Sequence, residues 1–588
     1  MNGNPLALDG LPRPLRFVLN KVSALDVLRQ WYDDWLRAPE PGASRFLDYT
    51  LGRIGARFDI HNEEALAALP KDTPLIIVAN HPLGALEGML LSRLLLRYRP
   101  DLKVLTNELL LHFKEFNDLF IGVDVLNPDK QQMNARGMMQ ASRHLAKGGA
   151  LLIFPAGTVS VLDVKSWSIQ DAPWKDIVGR LALRYKADCL PVHIEGRNGW
   201  GFYLSGLVHK RLRTLLLPRA MIAQHRKQVS ARIGRPINLT DTAIASPEAA
   251  TEYLRLSCEL LAGNTIKELP EPPAALQSLS GDIPGDSLQQ RFDALGEYRI
   301  AEQGQFQVYN IPFAELGCIA DQLALERERT FRAVGEGTGR SLDRDRFDPH
   351  YWHILVWDTE DRRIAGAYRA ARVSSVLQKK GVTGLYSNSL FHYDERFIRA
   401  LGGAIEVGRS FVAAPYQSDS RALDLLWQGL GNMILRYPDC HTLFGCVSIS
   451  SHYSPLLRAV LSDSFLSAHS AGDAMRSLVR PVSPFRYTRR FWTPDTLRAL
   501  SGMAAINKLL GNAGSAQRVP VLIRHYLALN GKFIDFSVNR GFNDSLDGLI
   551  LVDLRTAPER YLRRYLGRDG AGKFIQRWRH DSDAHSPE

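Results

Sequence analysis

The sequence is poor in cysteine and contains no long uninterrupted apolar run. Its five cysteines form no Cys-x-x-Cys pair and no zinc-type spacing, so neither a metal site nor a disulfide framework is expected. Reduced cysteines of this kind are typical of cytosolic proteins. Stretches of about 18–20 apolar residues are also absent, which predicts that no helix crosses a membrane. Contact with a membrane is therefore expected to be peripheral.

The N-terminal region lacks the apolar core of a secretory signal, because Pro12 and Pro14 interrupt it early. Residues 11–37 instead predict an amphipathic helix, in which apolar side chains that include Trp31 and Trp35 recur at helical spacing. A basic helix with tryptophans is typical of a membrane interface, and we assign residues 1–40 to such a role. The alternative is that the same apolar face packs on its own domain.

The balance of charge is strongly positive. The formal net charge is +11 and the sequence pI is about 9.3. This excess attracts anionic partners, and nucleic acid, anionic lipid and an acidic carrier protein all fit it. The hydrophobic and charged fractions, 45% and 23%, are those of a folded protein. Because 588 residues exceed the usual size of one core, two or more domains are expected.

Short apolar runs separated by helical stretches fill the first half of the chain. They lie at residues 75–79, 150–154 and 190–194 and predict a mostly parallel sheet covered by helices. Residues 269–288 are rich in proline, serine and glycine, which predicts a linker. An α/β domain is therefore expected over residues 1–268.

A second α/β domain is predicted after the linker, over residues 289–588. A helix is expected near residues 422–437, between the last two strands of the unit. The sequence shows no internal repeat, so the halves are not a duplication. The predicted strands are His353–Trp357, Ile364–Arg372, Ile405–Val412 and Leu443–Ile449.

A histidine directly follows the first buried strand. Residues 75–79 run into Asn80 and His81, and the ends of strands are where α/β sheets place reactive groups. Histidine is suited to deprotonate a hydroxyl near neutral pH. Glu87, close behind it, is a candidate to hold the imidazole in the required tautomer. At this stage a purely structural histidine is the alternative.

Two further blocks extend this pattern. After residues 150–154 comes Pro155-Ala156-Gly157-Thr158-Val159-Ser160, and the third strand ends in His193-Ile194-Glu195-Gly196-Arg197. In this order and spacing the three blocks resemble the glycerolipid acyltransferase family, over roughly residues 60–240. The resemblance implies that His81 is a general base oriented by Glu87 and that the acyl donor is a thioester. It also implies substrate contacts for Asn80, Gly157, Thr158 and Ser160.

The sequence departs from that family in three places. The carboxylate is glutamate rather than aspartate and lies one residue further from the histidine. Ala156 replaces the usual glutamate, and Val159 replaces the usual arginine. Guanidinium groups match phosphate well, so the missing arginine favours an acceptor without a glycerol phosphate. A subgroup named hemolysin-like acyltransferases resembles this sequence in its Asn-His-Pro-Leu-Gly, here residues 80–84, followed by Phe-Pro-Ala-Gly, here residues 154–157.

Charged residues recur at defined places in the second half. Glu406 and Arg409 lie three apart on one predicted strand, so they can share a site only if a bulge intervenes. The alternative for each charge is a surface ion pair, which contributes little to stability. The set comprises Arg327, Asp345, Asp348, Arg369, Glu406 and Arg409.

This set resembles the acyl-homoserine-lactone synthase and ornithine N-acyltransferase branch of the Gcn5-related acyltransferase fold, over about residues 290–460. That resemblance implies two neighbouring strands that splay apart, one of them bulged, to receive the thioester arm. An amine must lose a proton before it attacks a thioester, and Glu406 is the predicted base. Arg369 or Arg409 is expected to bind a carboxylate of the acceptor, and Asp345 or Asp348 its ammonium group.

No cofactor is expected beyond the acyl donor, which is either an acyl carrier protein or coenzyme A thioester. Coenzyme A enzymes of this fold usually hold the pyrophosphate in a glycine-rich turn at a helix N-terminus. Residues 417–422 contain no glycine in this chain. An acidic acyl carrier protein is therefore the expected partner, in keeping with the positive charge of the chain.

Both units in this order resemble the fused ornithine lipid synthases. That resemblance implies that the C-terminal unit attaches a 3-hydroxyacyl chain to the α-amine of ornithine and that the N-terminal unit then acylates the hydroxyl. It implies a bifunctional enzyme at the cytoplasmic face of the inner membrane, bound peripherally, with no nucleic-acid partner. Lysine and glutamine stay open as acceptors. The alternatives are a lysophospholipid acyltransferase with an accessory C-terminal domain and a hemolysin-like lipid-binding protein.

Overall fold

The computed structural model describes residues 4–6, 12–123, 131–164, 167–242, 244–262, 276–512 and 518–579. Contacts divide the chain into two compact units. The first comprises Met1–Ile266 and Thr488–Arg518, and the second comprises Lys267–Tyr487 and Val519–Glu588. Residues 269–275 of the predicted linker lie outside the described residues. Within those ranges no helix has both the length and the apolarity needed to cross a bilayer.

The first unit alternates strands and helices. Its strands are β1 Arg57–His61, β2 Leu75–Ala79, β3 Lys103–Asn107, β4 Phe120–Val123, β5 Ala150–Ile153, β6 Val161–Asp163, β7 Ser168–Gln170, β8 Asp188–Glu195, β9 Gln228–Ile233 and β10 Ile237–Asn238. Its helices before residue 263 are α1 Arg13–Ser23, α2 Leu25–Arg37, α3 Ala43–Ile54, α4 Ala85–Leu95, α5 Gln131–Ala146, α6 Ile177–Tyr185, α7 Trp200–Val208, α8 Lys210–Leu215, α9 Leu217–Ile222 and α10 Pro247–Ala262.

The main sheet of this unit has the order β1-β9-β8-β2-β5-β3-β4, and β10 pairs with β8. Strands β8, β2, β5, β3 and β4 are mutually parallel, whereas β9 is antiparallel to β8. All five residues of β2 are buried, as the continuous apolar run predicts. The loops that follow β2, β5 and β8 therefore leave from the same edge, where α/β sheets carry their sites.

The predicted N-terminal helix is two helices. The chain breaks at Ala24, whose φ of 56° is left-handed, between α1 and α2. Tyr32 and Trp35 of α2 are buried in the core of the first unit, and the Trp35 indole donates to Glu115 at 3.0 Å. The apolar face of α2 is thus covered by its own unit, whereas Phe17 of α1 is 67% exposed.

The second unit has the strands β11 Arg299–Gln303, β12 Phe306–Pro312, β13 Trp352–Asp358, β14 Arg363–Arg372, β15 Phe391–Tyr393, β16 Ala404–Val412, β17 Thr442–Ile449, β18 Val479–Pro481, β19 Lys532–Asn539 and β20 Ser545–Asp553. The helices after residue 276 are α11 Gly285–Ala294, α12 Ile319–Ala333, α13 Val373–Lys380, α14 Glu395–Ala400, α15 Arg421–Arg436, α16 Pro455–Ala468, α17 Asp473–Arg476, α18 Pro494–Ala499, α19 Met503–Asn512, α20 Val521–Ala528 and α21 Glu559–Arg579. Gly567 kinks α21.

The large sheet of the second unit has the order β11-β12-β13-β14-β16-β17-β20-β19. Only β16 and β17 are parallel among these neighbours. Their pairing ends at Val407 and Gly445, although the strands continue to Val412 and Ile449. A Cβ at Gly445 would lie 2.0 Å from the carbonyl oxygen of Val407, so glycine permits this last close approach. Beyond it the two strands splay apart.

A bulge interrupts the pairing of β14 with β16. Arg369 faces Gly408, yet Ala367 faces Phe411, so β16 holds one extra residue between these pairs. Arg409 lies in this segment with a φ of 48°, which is left-handed and strained for a residue with a Cβ. The bulge that the sequence required for Glu406 and Arg409 to share a site is therefore present.

The structure places residues 488–518 in the first unit, whereas the sequence predicts a continuous second domain over residues 289–588. Helices α18 and α19 lie in this segment and pack on α10 of the first unit. Glu252 of α10 accepts from the backbone N–H of Thr493 at 2.7 Å and from the Thr496 hydroxyl at 2.5 Å. The first unit is thus built from two separate pieces of chain.

Candidate active sites

In the first unit, His81 lies in the loop between β2 and α4. Its Nδ1 atom is 2.9 Å from Oε1 of Glu87, which is fully buried, while the His81 side chain is 19% exposed. Glu87 Oε1 also accepts the backbone N–H groups of Leu83 and Gly84, both at 2.9 Å. The longer glutamate side chain reaches the imidazole despite the extra residue because Glu87 stands in the first turn of α4.

This geometry assigns different tasks to the two ring nitrogens. A carboxylate beside Nδ1 favours the tautomer that leaves Nε2 as the proton acceptor. The Phe154 ring packs against the imidazole at a centroid distance of 4.5 Å and limits its rotation. A partly exposed, oriented imidazole of this kind can take the proton of a hydroxyl.

Asp171 completes the surroundings of His81. It accepts the His81 backbone N–H at 3.2 Å, the Ser160 hydroxyl at 2.6 Å and the Trp174 indole N–H at 3.1 Å. The Ser160 N–H donates in turn to the His81 carbonyl at 2.8 Å. Asp171 was missed in the sequence because it lies 90 residues from His81 in a segment without a recognisable pattern.

The other residues of this unit predicted to contact the substrate have partners within the unit. Asn80 joins two strands, since its amide donates to the Ile194 carbonyl at 2.9 Å and its Oδ1 accepts the Ile194 N–H at 2.6 Å. Gly157 adopts a φ of 66°, and its N–H donates to the Phe154 carbonyl in the tight turn after β5. Thr158 is partly buried beside it. Their roles toward substrate stay predictions.

In the second unit, the predicted charges form a buried network rather than surface pairs. Arg327 donates to Asp348 at 2.8 Å, and Arg369 donates to Asp348 at 3.0 Å and to Asp345 at 2.7 Å. Arg327 and Arg369 are 1% and 0% exposed. Arg409 lies 3.1 Å from Asp343, a residue that the sequence analysis missed. The site thus holds alternating guanidinium and carboxylate groups in one cluster.

The pKa values of these acids diverge. Burial raises the pKa of Asp348, but Arg327 and Arg369 outweigh that effect and hold it well below its usual value. Arg369 likewise offsets burial at Asp345, whose pKa is lowered. Burial prevails at Asp343, so its pKa is raised despite the neighbouring Arg409.

Glu406 is 1% exposed and is held by four donors. Its oxygens accept the hydroxyls of Tyr351 and Ser387, the Ser387 N–H at 2.8 Å and the Tyr386 N–H at 3.1 Å. Burial raises the pKa of Glu406, against the opposing effect of these donors. The Tyr386 ring stacks under Arg369 and Arg409, at 4.8 and 5.0 Å from the guanidinium carbons. The assignment of Glu406 as the catalytic base stays a prediction.

Comparison with known proteins gives a family for each unit. The chain matches an acyltransferase family over residues 50–265 and an acetyltransferase (GNAT) domain over residues 327–428. It is 29% identical over 273 residues to a glycine N(alpha)-acyltransferase of Bacteroides thetaiotaomicron, covering 43% of this chain and 79% of that protein. It is 28% identical over 199 residues to a lyso-glycine lipid O-acyltransferase of Phocaeicola vulgatus, covering 33% and 68%.

Solved structures with a detectable likeness include a 1-acyl-sn-glycerophosphate acyltransferase from Thermotoga maritima and a CoA-dependent acyl-homoserine lactone synthase. The first is 20% identical, covers 39% of this chain and 79% of its own, and has a TM-score of 0.25. The second is 12% identical, covers 37% and 92%, and has a TM-score of 0.17.

The chain is therefore an acyltransferase. It combines an N-terminal acyltransferase domain with a C-terminal GNAT domain, each in an α/β unit, and its relatives include both N- and O-acyltransferases. The predicted fold class and enzyme class are confirmed.

Proposed function

We propose that the protein synthesises a diacylated amino-acid lipid in two steps on one chain. The second unit transfers a 3-hydroxyacyl group from a thioester to the α-amine of ornithine. The first unit then acylates the hydroxyl of that lyso-lipid. The observation that carries the proposal is the oriented His81–Glu87 pair on the same chain as a GNAT domain. The amine acylation creates the alcohol that such a pair can activate.

The chemistry of the first unit follows from the positions of the two ring nitrogens of His81. Nε2 of His81 accepts the hydroxyl proton while Glu87 stabilises the imidazolium through Nδ1. The alkoxide oxygen attacks the thioester carbonyl, the C–O bond forms, and the C–S bond breaks. His81 then gives its proton to the departing sulfur. Val159, buried where the related family carries arginine, is consistent with an acceptor that lacks a phosphate.

The charge of the second site favours a cationic acceptor. Six carboxyl groups and three guanidinium groups are largely buried in the connected cluster, an excess of three acids. Burial raises the pKa values of Glu336, Asp343, Glu406 and Asp547, and a bound ammonium group would favour their ionised forms, so a substrate with more than one ammonium group suits this cluster. The acids are Glu336, Asp343, Asp345, Asp348, Glu406 and Asp547, and the bases are Arg327, Arg369 and Arg409. Glycine, named in the relatives, has a single ammonium group and is the competing acceptor.

We further propose that the first unit docks peripherally on lipid at the cytoplasmic face of the inner membrane. Trp200, Leu204, Leu207 and Val208 of α7 are 52%, 48%, 50% and 77% exposed and recur at helical spacing. Just before α7, the amide of Asn198 donates to the carbonyls of Pro82 and Leu83 in the His81 loop. An apolar face so close to His81 suits a membrane-bound acceptor.

The donor is proposed to be an acyl carrier protein thioester. Residues 417–422 precede and begin α15, and Asp419 there is paired with Arg421. Without glycine, this helix N-terminus offers less room for a pyrophosphate than a phosphate-binding turn does. The net charge of +11 suits an acidic carrier protein. Coenzyme A thioesters serve as the comparison donor in each assay.

Lipid mass spectrometry in a host without aminolipids tests the proposal. The full chain is expected to yield a diacylated ornithine lipid, His81→Ala the monoacyl lyso-lipid, and Glu406→Ala no aminolipid. Because Glu406→Ala leaves four donors without an acceptor, urea denaturation followed by tryptophan fluorescence is the control for folding of the second unit. A glycine lipid in place of the ornithine lipid would reassign the acceptor. Accumulation of lyso-lipid in the Glu406 variant rather than the His81 variant would overturn the division of labour.

A further inference from the structure

Glu336 is a nearly buried acid that the sequence analysis did not single out. It follows α12 in a loop where the flanking Gly335 and Gly337 have φ values of 76° and 103°. The Gly335 carbonyl accepts the Asn543 amide at 2.8 Å, and the Glu336 N–H donates to the Phe331 carbonyl at 2.9 Å. The backbone around Glu336 is therefore held firmly, and the side chain points to a fixed place.

That place is the opening between the splayed strands. The Ser448 hydroxyl of β17 donates to Glu336 Oε2 at 2.8 Å. Ser448 lies beyond Gly445, the last residue of β17 that pairs with β16. On the other side of β17, Ser448 pairs with Asp547 of β20. Arg409 lies on the opposite arm, beyond Val407.

Hydrogen bonds connect Arg409 on β16 with Asp547 on β20, the strand that pairs with β17. Arg409 donates to the Tyr386 hydroxyl at 3.3 Å, and the Asn539 amide contacts both that hydroxyl at 3.2 Å and Asp547 at 2.9 Å. Glu336 thus lies close to Arg409 and Asp547, in the same polar cluster as the residues predicted to bind the acceptor. Glu406, by contrast, already accepts four hydrogen bonds and would have to release one to meet an amine.

The electrostatic surroundings suit a base. Burial and the neighbouring Asp547 raise the pKa of Glu336 to about 8, against the opposing effects of Ser448 and Arg409. Tyr453 and His452 also lie near this loop, as do Glu328 and Arg332, which pair with each other beside Gly337. A carboxylate with a pKa near neutrality removes an ammonium proton far better than one with an ordinary pKa.

We infer that Glu336 is the general base for amine acylation in the splay between β16 and β17, and that Glu406 is a positioning residue. This inference rests on the proposed N-acylation. Glu336 takes one proton from the acceptor ammonium, and the free amine attacks the thioester carbonyl. The C–N bond forms as the C–S bond breaks, the second amine proton passes to the departing sulfur, and Glu336 returns its proton to solvent.

The test compares Glu336→Gln with the wild-type full chain, using thiol release from a 3-hydroxyacyl thioester with ornithine or glycine as acceptor. We expect the N-acylation kcat to fall about 100-fold or more. The O-acylation of supplied lyso-lipid should stay within about twofold because the first unit is unchanged, and urea denaturation followed by tryptophan fluorescence checks that the second unit is folded. Glu360→Gln, an exposed acid of the same unit, is the matched control and is expected to keep both activities.

The pH profile separates a base from a structural acid. Wild-type kcat should rise with pH through about 8, because Glu336 must be ionised, and this limb should vanish in Glu336→Gln. Ser448→Ala removes a hydroxyl that lowers the pKa of Glu336. The rising limb of the kcat–pH profile of this variant should therefore lie at higher pH than that of the wild type. Full N-acylation by Glu336→Gln, or an unchanged limb, would overturn the inference alone. A wild-type chain that acylates neither amine would overturn the proposed function together with it.

Discussion

Glu406 and Arg409 stand three positions apart on β16 and nevertheless contact the same tyrosine. Glu406 accepts the Tyr386 N–H, and Arg409 donates to the Tyr386 hydroxyl. In a regular strand these side chains would point to opposite faces, and the extra residue of the bulge removes that difference. The strained φ of Arg409 is the local cost of bringing an acid and a guanidinium to one pocket.

The His81–Glu87 pair should control O-acylation alone. His81→Ala removes the proton acceptor and is expected to lower the O-acylation kcat by about 10²–10⁴-fold. Glu87→Gln leaves the imidazole in place but weakens its orientation, so a smaller loss of about 10–100-fold is expected. Both are measured with supplied lyso-lipid. N-acylation of ornithine should be unchanged in each variant, and its loss would contradict two independent sites.

Asp171→Ala is expected to destabilise the first unit and to slow O-acylation. The change leaves the His81 N–H, the Ser160 hydroxyl and the Trp174 indole N–H without their acceptor. This should lower the free energy of unfolding by about 1–3 kcal/mol. Chemical denaturation measures this cost. Asp176→Ala, in an exposed ion pair nearby in sequence, should change the stability by about 1 kcal/mol or less. Equal effects of the two changes would argue against the anchoring role of Asp171.

Arg369→Met should strongly destabilise the second unit. It removes the buried guanidinium that pairs with both Asp345 and Asp348 and leaves Asp348 with Arg327 alone, which we expect to reduce the free energy of unfolding by about 3–5 kcal/mol. The measurement is urea denaturation followed by tyrosine and tryptophan fluorescence. Arg363→Met, at the exposed start of the same strand, is the control and should be nearly neutral. A small effect of Arg369→Met would mean that the network contributes little to folding.

Glu336 should make the second unit less stable as the pH rises. Its pKa is raised to about 8 in the folded state, so the folded chain holds a proton that the unfolded chain loses near its ordinary value. Stability therefore decreases between about pH 4.5 and 8. Glu336→Gln removes this loss, and its Tm should exceed that of the wild type by about 2–4 °C at pH 8.5. At pH 4.5 the two Tm values should coincide.

The exposed face of α7 should govern binding to vesicles. Replacing Trp200, Leu204 and Leu207 together by serine removes apolar area from the proposed docking face, and we expect at least a tenfold weaker affinity for anionic vesicles. Sedimentation with liposomes measures it. Val521→Ser, at an exposed apolar residue of the second unit, serves as the control. Unchanged binding by the triple variant would place the membrane contact elsewhere.

Much of the fold could be predicted because the strands carry strong local signals. The prediction at residues 75–79 matches β2, and β16 and β17 begin one residue before their predicted starts, Ile405 and Leu443. Strand β2 is buried on both faces, so it appears in the sequence as a continuous apolar run. The helix predicted near residues 422–437 is α15, displaced by one residue.

The residues that surround the predicted groups could not be found in the same way. Asp171, Tyr386 and Glu336 lie in loops whose neighbours in space are far away in sequence, and periodicity says nothing about such pairs. The break at Ala24 was missed for a related reason. The apolar spacing continues across it, and only the backbone angle shows that one predicted helix is two.

The packing of α18 and α19 on α10 has a consequence for biosynthesis. The ribosome releases the histidine-bearing half of the chain long before residues 488–518 leave the exit tunnel. During that interval Glu252 lacks the donors that it has in the folded chain, the Thr493 N–H and the Thr496 hydroxyl. Truncation at the linker would produce a polypeptide with this surface uncovered, so a gene fragment ending near residue 268 is a poor source of the O-acylating half.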